Sequence, residues 1–164
     1  MKNLCVLLLV TACSMSAVAQ TDPTQPALEQ TTIFTGVVYD HNLVTDGSQI
    51  SGRYGVIQNL TGHLYILPNV EFGKYNSVST ELALLYRIPE SKFTIGLLAG
   101  PGVDWADPSG DEIAYLTGAA GGIVGYHVNT RWGVWAAGQY QFSGVQNDLY
   151  VDGFIAGAGF FVNW

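Results

Sequence analysis

Three histidines, His41, His63 and His127, are the side chains best suited to acid–base work near neutral pH in this sequence. A hydrolytic triad needs an imidazole with a hydroxyl on one side and a carboxylate on the other. Around His127 the chain reads Tyr126-His127-Val128-Asn129, with an amide where a nucleophile would be wanted. His63 has neither serine nor acid in register, and His41, Ser48 and Asp104 are the one trio that can be cast in the three parts. Asp104, Asp107, Asp111 and Glu112 are hard oxygen donors of the sort Ca²⁺ takes, but their spacing is not that of an EF-hand loop. A solvated acidic loop is the plainer reading. The glycines recur at strand spacing with no helix to follow, so no phosphate-cradling loop is present. The expectation is no catalytic residue, no metal and no cofactor.

The cysteines remove further chemistry. Cys5 and Cys13, the only two, lie in a segment with the layout of an export signal: Lys2, then an apolar run from Leu4 to Val10, then Ala17-Val18-Ala19 as a small-x-small cleavage pattern. Cleavage after Ala19 leaves a thiol-free chain with no disulfide framework. Val10-Thr11-Ala12-Cys13 offers a competing lipoprotein route, in which Cys13 would be acylated. Residues 20–30 carry Pro23 and Pro26 and no periodicity, and read as a flexible lead-in to a single domain over 31–164.

Composition narrows what that domain can be. Only 12% of the 164 residues are charged, with a net charge of −7, against about 25% charged in an average soluble domain. No cationic stripe is available to meet nucleic-acid phosphates. Aromatic residues make up 12%, which is the wrong composition for disorder, and no apolar run reaches the roughly 18 residues that a membrane helix needs.

From Thr31 onward the dominant period is two, the signature of strands. The spacing predicts eight, at about Thr31–Asp40, Gly52–Leu60, Gly62–Phe72, Asn76–Arg87, Lys92–Asp104, Leu116–Val128, Arg131–Phe142 and Phe154–Trp164. Most have the length that a tilted strand needs to cross a bilayer. Connections 2–3, 4–5 and 6–7 are short. Connections 1–2, 5–6 and 7–8 are longer and polar, and only Gly73-Lys74-Tyr75 breaks the alternation. Short periplasmic turns opposite long external loops are the habit of membrane barrels. Rings at the ends of the apolar stripes, among them Tyr39, Tyr86, Phe93, Trp132 and Phe154, suit interfacial girdles. The expected fold is therefore all-β, an eight-stranded antiparallel up-and-down transmembrane β-barrel. A soluble lipocalin-type barrel with its apolar stripes inward is the alternative.

The same parity places Arg53, Glu71 and Glu81 inside, on adjacent strands. A buried charge persists only when paired, so Arg53 is expected to bridge one or both glutamates and plug the lumen. Gly100-Pro101-Gly102 is expected to interrupt strand 5 and Pro68 strand 3, because proline has no N–H for the ladder. A β-bulge is one consequence and a lateral gap admitting an acyl chain is another.

Gly118 to Phe142 resembles the penultimate hairpin of the small outer-membrane barrels of OmpA, OmpX and opacity type, and residues 157–164 resemble their closing strand. The resemblance implies that Phe160, Val162 and Trp164 form the C-terminal signal read by the barrel-insertion machinery. It also implies an outer membrane of Gram-negative type, contact with its lipids and lipopolysaccharide, and a structural or surface-interaction role in integrity or adhesion with an unknown surface ligand. A narrow channel for small or apolar solutes is a second option. Barrel enzymes that deacylate lipid A use a His-x-Ser pair, and Asn129 departs from that pattern; lipid-modifying activity is the less favoured alternative.

Overall fold

Inward and outward side chains alternate along eight strands, and the strands close into one antiparallel ring. The computed structural model describes residues 31–42, 47–73, 76–106, 113–143 and 153–163. The segments expected to be an export leader, 1–19, and a lead-in, 20–30, lie outside them, as does Trp164. The strands are β1 Thr32–Asn42, β2 Gly47–Thr61, β3 Leu64–Phe72, β4 Asn76–Arg87, β5 Phe93–Ala106, β6 Ile113–His127, β7 Trp132–Ser143 and β8 Gly153–Asn163. Each pairs with the next, and β1 pairs with β8 from Thr32↔Asn163 to Asn42↔Gly153. The strands extend further toward the long loops than the periodicity indicates. Asn42 pairs with Gly47 and Ala106 with Ile113, because ladder bonds continue where the polar sequence no longer alternates.

The short turns are built from local bonds. Gly62 takes a positive φ of 53° between β2 and β3, which costs glycine nothing. In the β4–β5 turn the Ser91 hydroxyl donates to the Ile88 carbonyl at 2.9 Å and accepts from the Phe93 N–H at 3.1 Å. Asn129 Oδ1 closes the β6–β7 turn by accepting from the Arg131 and Trp132 N–H groups at 2.8 and 3.0 Å.

Large apolar side chains cover the outer wall, including Val37, Ile50, Leu84, Leu97, Leu116 and Phe160, each more than half exposed. This orientation is opposite to that of a soluble ligand-binding barrel. The interior is crowded, and it packs by leaning large side chains over glycines of neighbouring strands. Phe34 lies over Gly55, Leu85 over Gly96, and Trp135 over Gly36; a Cβ at any of the three glycines would come within 2.5 Å of the covering side chain. Eight strands leave an interior just wide enough for side chains to fill, and glycine supplies the missing depth.

The prolines do not act as the sequence suggests. β5 runs unbroken through Pro101, which pairs with Gly118 of β6. On its other side, Ser79↔Gly102 and Leu82↔Ala99 keep one register while the two rungs between them are absent. Pro68 does the same to β2–β3 between Gly55↔Asn69 and Gln58↔Ile66. One missing N–H removes the rungs without inserting a residue, so there is no bulge at either proline; the β2–β3 register shift falls between Asn59 and Thr61. Nor is there a lateral gap at Gly100-Pro101-Gly102. A Cβ on Gly100 would collide with the Thr80 carbonyl and the Glu81 Cα, so β4 and β5 are in contact there.

This packing separates two kinds of glycine. A Cβ at Gly133 would run into the Phe161 ring and the Tyr126 carbonyl, whereas one at Gly138 would meet nothing within 4 Å. Gly133→Val is expected to lower stability by about 1–3 kcal/mol, and Gly138→Ala to leave it unchanged or raise it by up to about 1 kcal/mol. Urea unfolding of the folded barrel in detergent, followed by tryptophan fluorescence, measures both.

Candidate functional site in the lumen

Toward the long-loop end the inward positions turn polar, and their side chains form one network. Arg53 on β2 is 4% exposed, Glu71 on β3 7% and Glu81 on β4 2%. Arg53 and Glu71 are direct register partners. The Arg53 Nε donates to Glu71 Oε1 at 2.7 Å, and Nη2 donates to the same oxygen. Ser51 Oγ donates to the other carboxylate oxygen, Oε2, at 3.3 Å. The second glutamate is reached through an intermediary. Arg53 Nη1 donates to Gln139 Oε1 at 3.1 Å, and Gln139 Nε2 donates to Glu81 Oε1 at 2.9 Å. The direct Nη1 to Glu81 Oε1 separation is 3.9 Å, an ion-pair contact without a hydrogen bond.

Gln139 stands on β7, so this chain of bonds crosses the lumen from β2 to β7 and returns to β4. Nearer the loops, Gln141 Nε2 donates to Asp104 Oδ2 at 2.6 Å and Gln49 Nε2 to Asp40 Oδ2 at 3.2 Å. Asn69 Oδ1 accepts from Ser79 Oγ at 2.9 Å. Four carboxylates thus share the upper lumen with a single guanidinium; Gln139 links it to Glu81, and Gln141 and Gln49 donate to Asp104 and Asp40. The alternation that reveals Arg53, Glu71 and Glu81 also places Gln139, Gln141 and Asp104 inside. What it cannot supply is the identity of their partners.

Below this layer the lumen is apolar. Phe34, Tyr65, Leu67, Leu85, Leu98, Trp135 and Phe161 form its buried cluster, and Trp135 Nε1 is satisfied by the Thr35 carbonyl at 3.1 Å. A cavity of about 60 Å³ runs through this half, lined from Arg53 and Glu81 at one end to Thr32, Thr94, His127 and Asn163 at the other. A polar collar lines the short-turn end: Thr32 Oγ1 donates to Asn163 Oδ1 at 2.7 Å, and Thr94 Oγ1 lies 3.0 Å from His127 Nε2.

Among the described residues, no hydrolytic centre is assembled from the candidate histidines. His127 is buried against Thr94 and the Phe161 ring, and His63 is exposed beside Tyr86. His41 and Ser48 are register partners on the outward face, while Asp104 is bound to Gln141 on the inward face, so the wall separates the trio. Among the described residues no group of three or more His, Cys, Asp or Glu is placed to hold a metal ion. Asp107, Asp111 and Glu112 lie outside the described residues. Phe160 and Val162 of the C-terminal motif point outward, 58% and 41% exposed.

No protein-family model and no curated protein matches the sequence. Solved structures do match the fold. The N-terminal β-barrel domain of Pseudomonas aeruginosa OprF aligns with a TM-score of 0.57 and 14% identity over 82% of this chain and 98% of that domain. Neisserial surface protein A aligns with a TM-score of 0.61 and 12% identity over 82% of this chain and 96% of its own. A de novo designed transmembrane β-barrel aligns with a TM-score of 0.56 and 12% identity over 89% and 100%. The chain has the fold of the small eight-stranded outer-membrane barrels.

Removing one member of the buried pair exposes the cost of the other. Arg53→Met strands Glu71 without its guanidinium and is expected to cost about 3–5 kcal/mol. Arg53→Met/Glu71→Met removes that pair and should recover the part of the loss due to Glu71, while Glu81 keeps only Gln139. A double-mutant comparison of unfolding midpoints in detergent checks both values.

Proposed function

We propose that this protein is an outer-membrane barrel with a closed lumen, working as a structural and surface-interaction element rather than as a pore or an enzyme. The observation that carries the reading is the combination of an apolar outer wall with a blocked interior. A closed sheet satisfies its backbone internally apart from the two proline interruptions, so it suits hydrocarbon. Exposed aliphatic side chains around the wall would be a severe liability in water and suit lipid. Inside, the cross-lumen chain from Arg53 through Gln139 to Glu81 spans the barrel above an apolar cluster, with a cavity of only about 60 Å³ beneath it.

The polar long loops then form the surface available to partners outside the cell, with the short turns in the periplasm. Likeness in fold to a Neisserial surface protein is compatible with such a role. A lipid-modifying enzyme would need a hydroxyl, an imidazole and a carboxylate converging at one rim, and the described residues offer no such convergence.

The protein, extracted from membranes in detergent, is expected to run anomalously fast on gels when unboiled and to shift on boiling. In planar bilayers it should pass no steady ionic current. Arg53→Ala alone should remain closed, because the apolar cluster around Trp135 and Phe161 still narrows the lumen to a small cavity. A steady wild-type conductance would favour the channel reading, and a change in lipid A mass on expression would favour the enzyme.

A further inference from the structure

The cavity in the lower half of the lumen is walled by hydrocarbon and rings. Leu67, Leu85, Leu98, Trp135 and Phe161 form its sides. Trp135 spends its one N–H on the Thr35 carbonyl, so the ring offers no donor to the cavity. Arg53 and Glu81 stand at the inner end, with their charged groups bonded to Glu71 and Gln139. Such sides hold water poorly, because a buried water needs about two to four polar partners. They suit an apolar guest better. Size limits that guest. The volume is about 60 Å³, whereas an apolar cavity known to take a benzene ring measures about 150 Å³. At about 30 Å³ for each carbon, the share of a water molecule in the liquid, the space suits a short unbranched chain.

The other end of the cavity is polar. Thr32, Thr94, His127 and Asn163 line it, and their side chains are bonded in pairs, Thr32 to Asn163 and Thr94 to His127. Arg87 stands at this collar. It is the direct register partner of Thr94 and shares the inward parity of Ala83 and Leu85. Its side chain is exposed at the end of β4, close enough to His127 for its charge to act on that ring. Glu90, on the same turn, is also exposed. The ion pairs among the described residues are those of Arg53, so Arg87 meets an incoming anion with its charge intact.

One wall position keeps the space open. Gly125 pairs with Thr94 on one side and Trp135 on the other, and it lines the cavity. A Cβ there would lie 3.6 Å from the Phe161 ring and 3.8 Å from the Thr94 Cβ, ordinary contact distances. Gly133 differs, because the Phe161 ring already occupies the place its Cβ would take. A side chain at Gly125 would therefore fit, and it would grow into the cavity.

We propose that this cavity and its collar are a binding site for a short unbranched alkyl carboxylate such as propionate or butyrate, with the tail between Leu85, Leu98, Trp135 and Phe161 and the carboxylate against the Arg87 guanidinium. Burial of the tail supplies affinity, and the guanidinium fork matches the two carboxylate oxygens. An amine of the same length carries the wrong charge, and an aromatic acid is too wide. The site is blind, ending at Arg53 and Glu81, so occupancy requires no passage through the barrel. Its opening toward the periplasm rests on the orientation given above, whereas the site itself requires only the folded barrel.

Methyl NMR of the full-length protein in phosphatidylcholine nanodiscs, titrated with acetate, propionate, butyrate and hexanoate, tests the proposal. The methyls of Ile57, Leu85 and Leu98, inside, should shift saturably, while those of Leu84 and Leu97, on the outer wall, report partition into lipid. Affinity should rise about fourfold with each carbon from acetate to butyrate, the return for burying one methylene, and level off by hexanoate. Butylamine should bind about fivefold more weakly than butyrate, and benzoate should give no saturable shift. Arg87→Gln should remove the preference for carboxylate over amine, and Arg87→Lys should keep it. Gly125→Val should weaken every member of the series. The site is overturned if the inner methyls do not saturate, if wild type binds butyrate and butylamine equally, or if Gly125→Val binds as wild type does. Should Gly125→Val not fold, Arg87→Gln, at an exposed position, must still abolish the preference. The gel shift on boiling, run on the same samples, separates absence of the site from failure of the barrel reading itself.

Discussion

Closure of the sheet is the constraint from which the rest of this molecule follows. β1 and β8 are at opposite ends of the described chain, yet they pair over their whole length, and no strand is left as an edge. A backbone N–H or C=O that faces hydrocarbon has no water to turn to, so the ring must be complete before the outer side chains can be apolar. The two prolines test this requirement. Pro68 and Pro101 sit on either side of Thr80 in one row around the wall, and each removes two rungs from one of its seams. The sheet tolerates both because the register continues beyond them and the strands stay in contact. Outside, the Phe142 ring covers Gly118, next in the same row.

A ring of eight strands has little room inside, and two different solutions fill it. In the lower half, rings and aliphatic chains lean sideways over glycines, so the high glycine content is a packing device as much as a backbone one. In the upper half, charge fills the space. A guanidinium among four carboxylates would be costly if any stood alone, and Gln139 relieves this by accepting from Arg53 and donating to Glu81. Amide side chains suit that position because they carry a donor and an acceptor on one planar group.

The two ends of the barrel differ in charge. Arg87, Lys92 and Arg131 cluster at the short turns, while Asp40, Glu71, Glu81 and Asp104 belong to the half nearer the long loops. Between them lies a belt of aliphatic side chains with rings at its margins, such as Tyr140 against Phe154 at one and Phe93 against Tyr126 at the other.

Strand number, inward and outward faces and the short-turn positions were legible in the sequence, because alternation with period two is a local property of extended backbone. That is why Arg53, Glu71 and Glu81 could be placed inside without coordinates. Strand ends were legible less well: β2 begins at Gly47, since pairing with β1 outlasts the hydrophobic pattern. The partners across the lumen were not legible at all. Arg53 meets Gln139 across 86 positions of sequence, and Trp135 meets Thr35 across 100. Those contacts depend on how far each strand is staggered against the next, summed around the ring. The prolines show the same limit. From the sequence a missing N–H implies a gap or a bulge, but only the closed sheet, held in register on both sides of each proline, determines that it is neither.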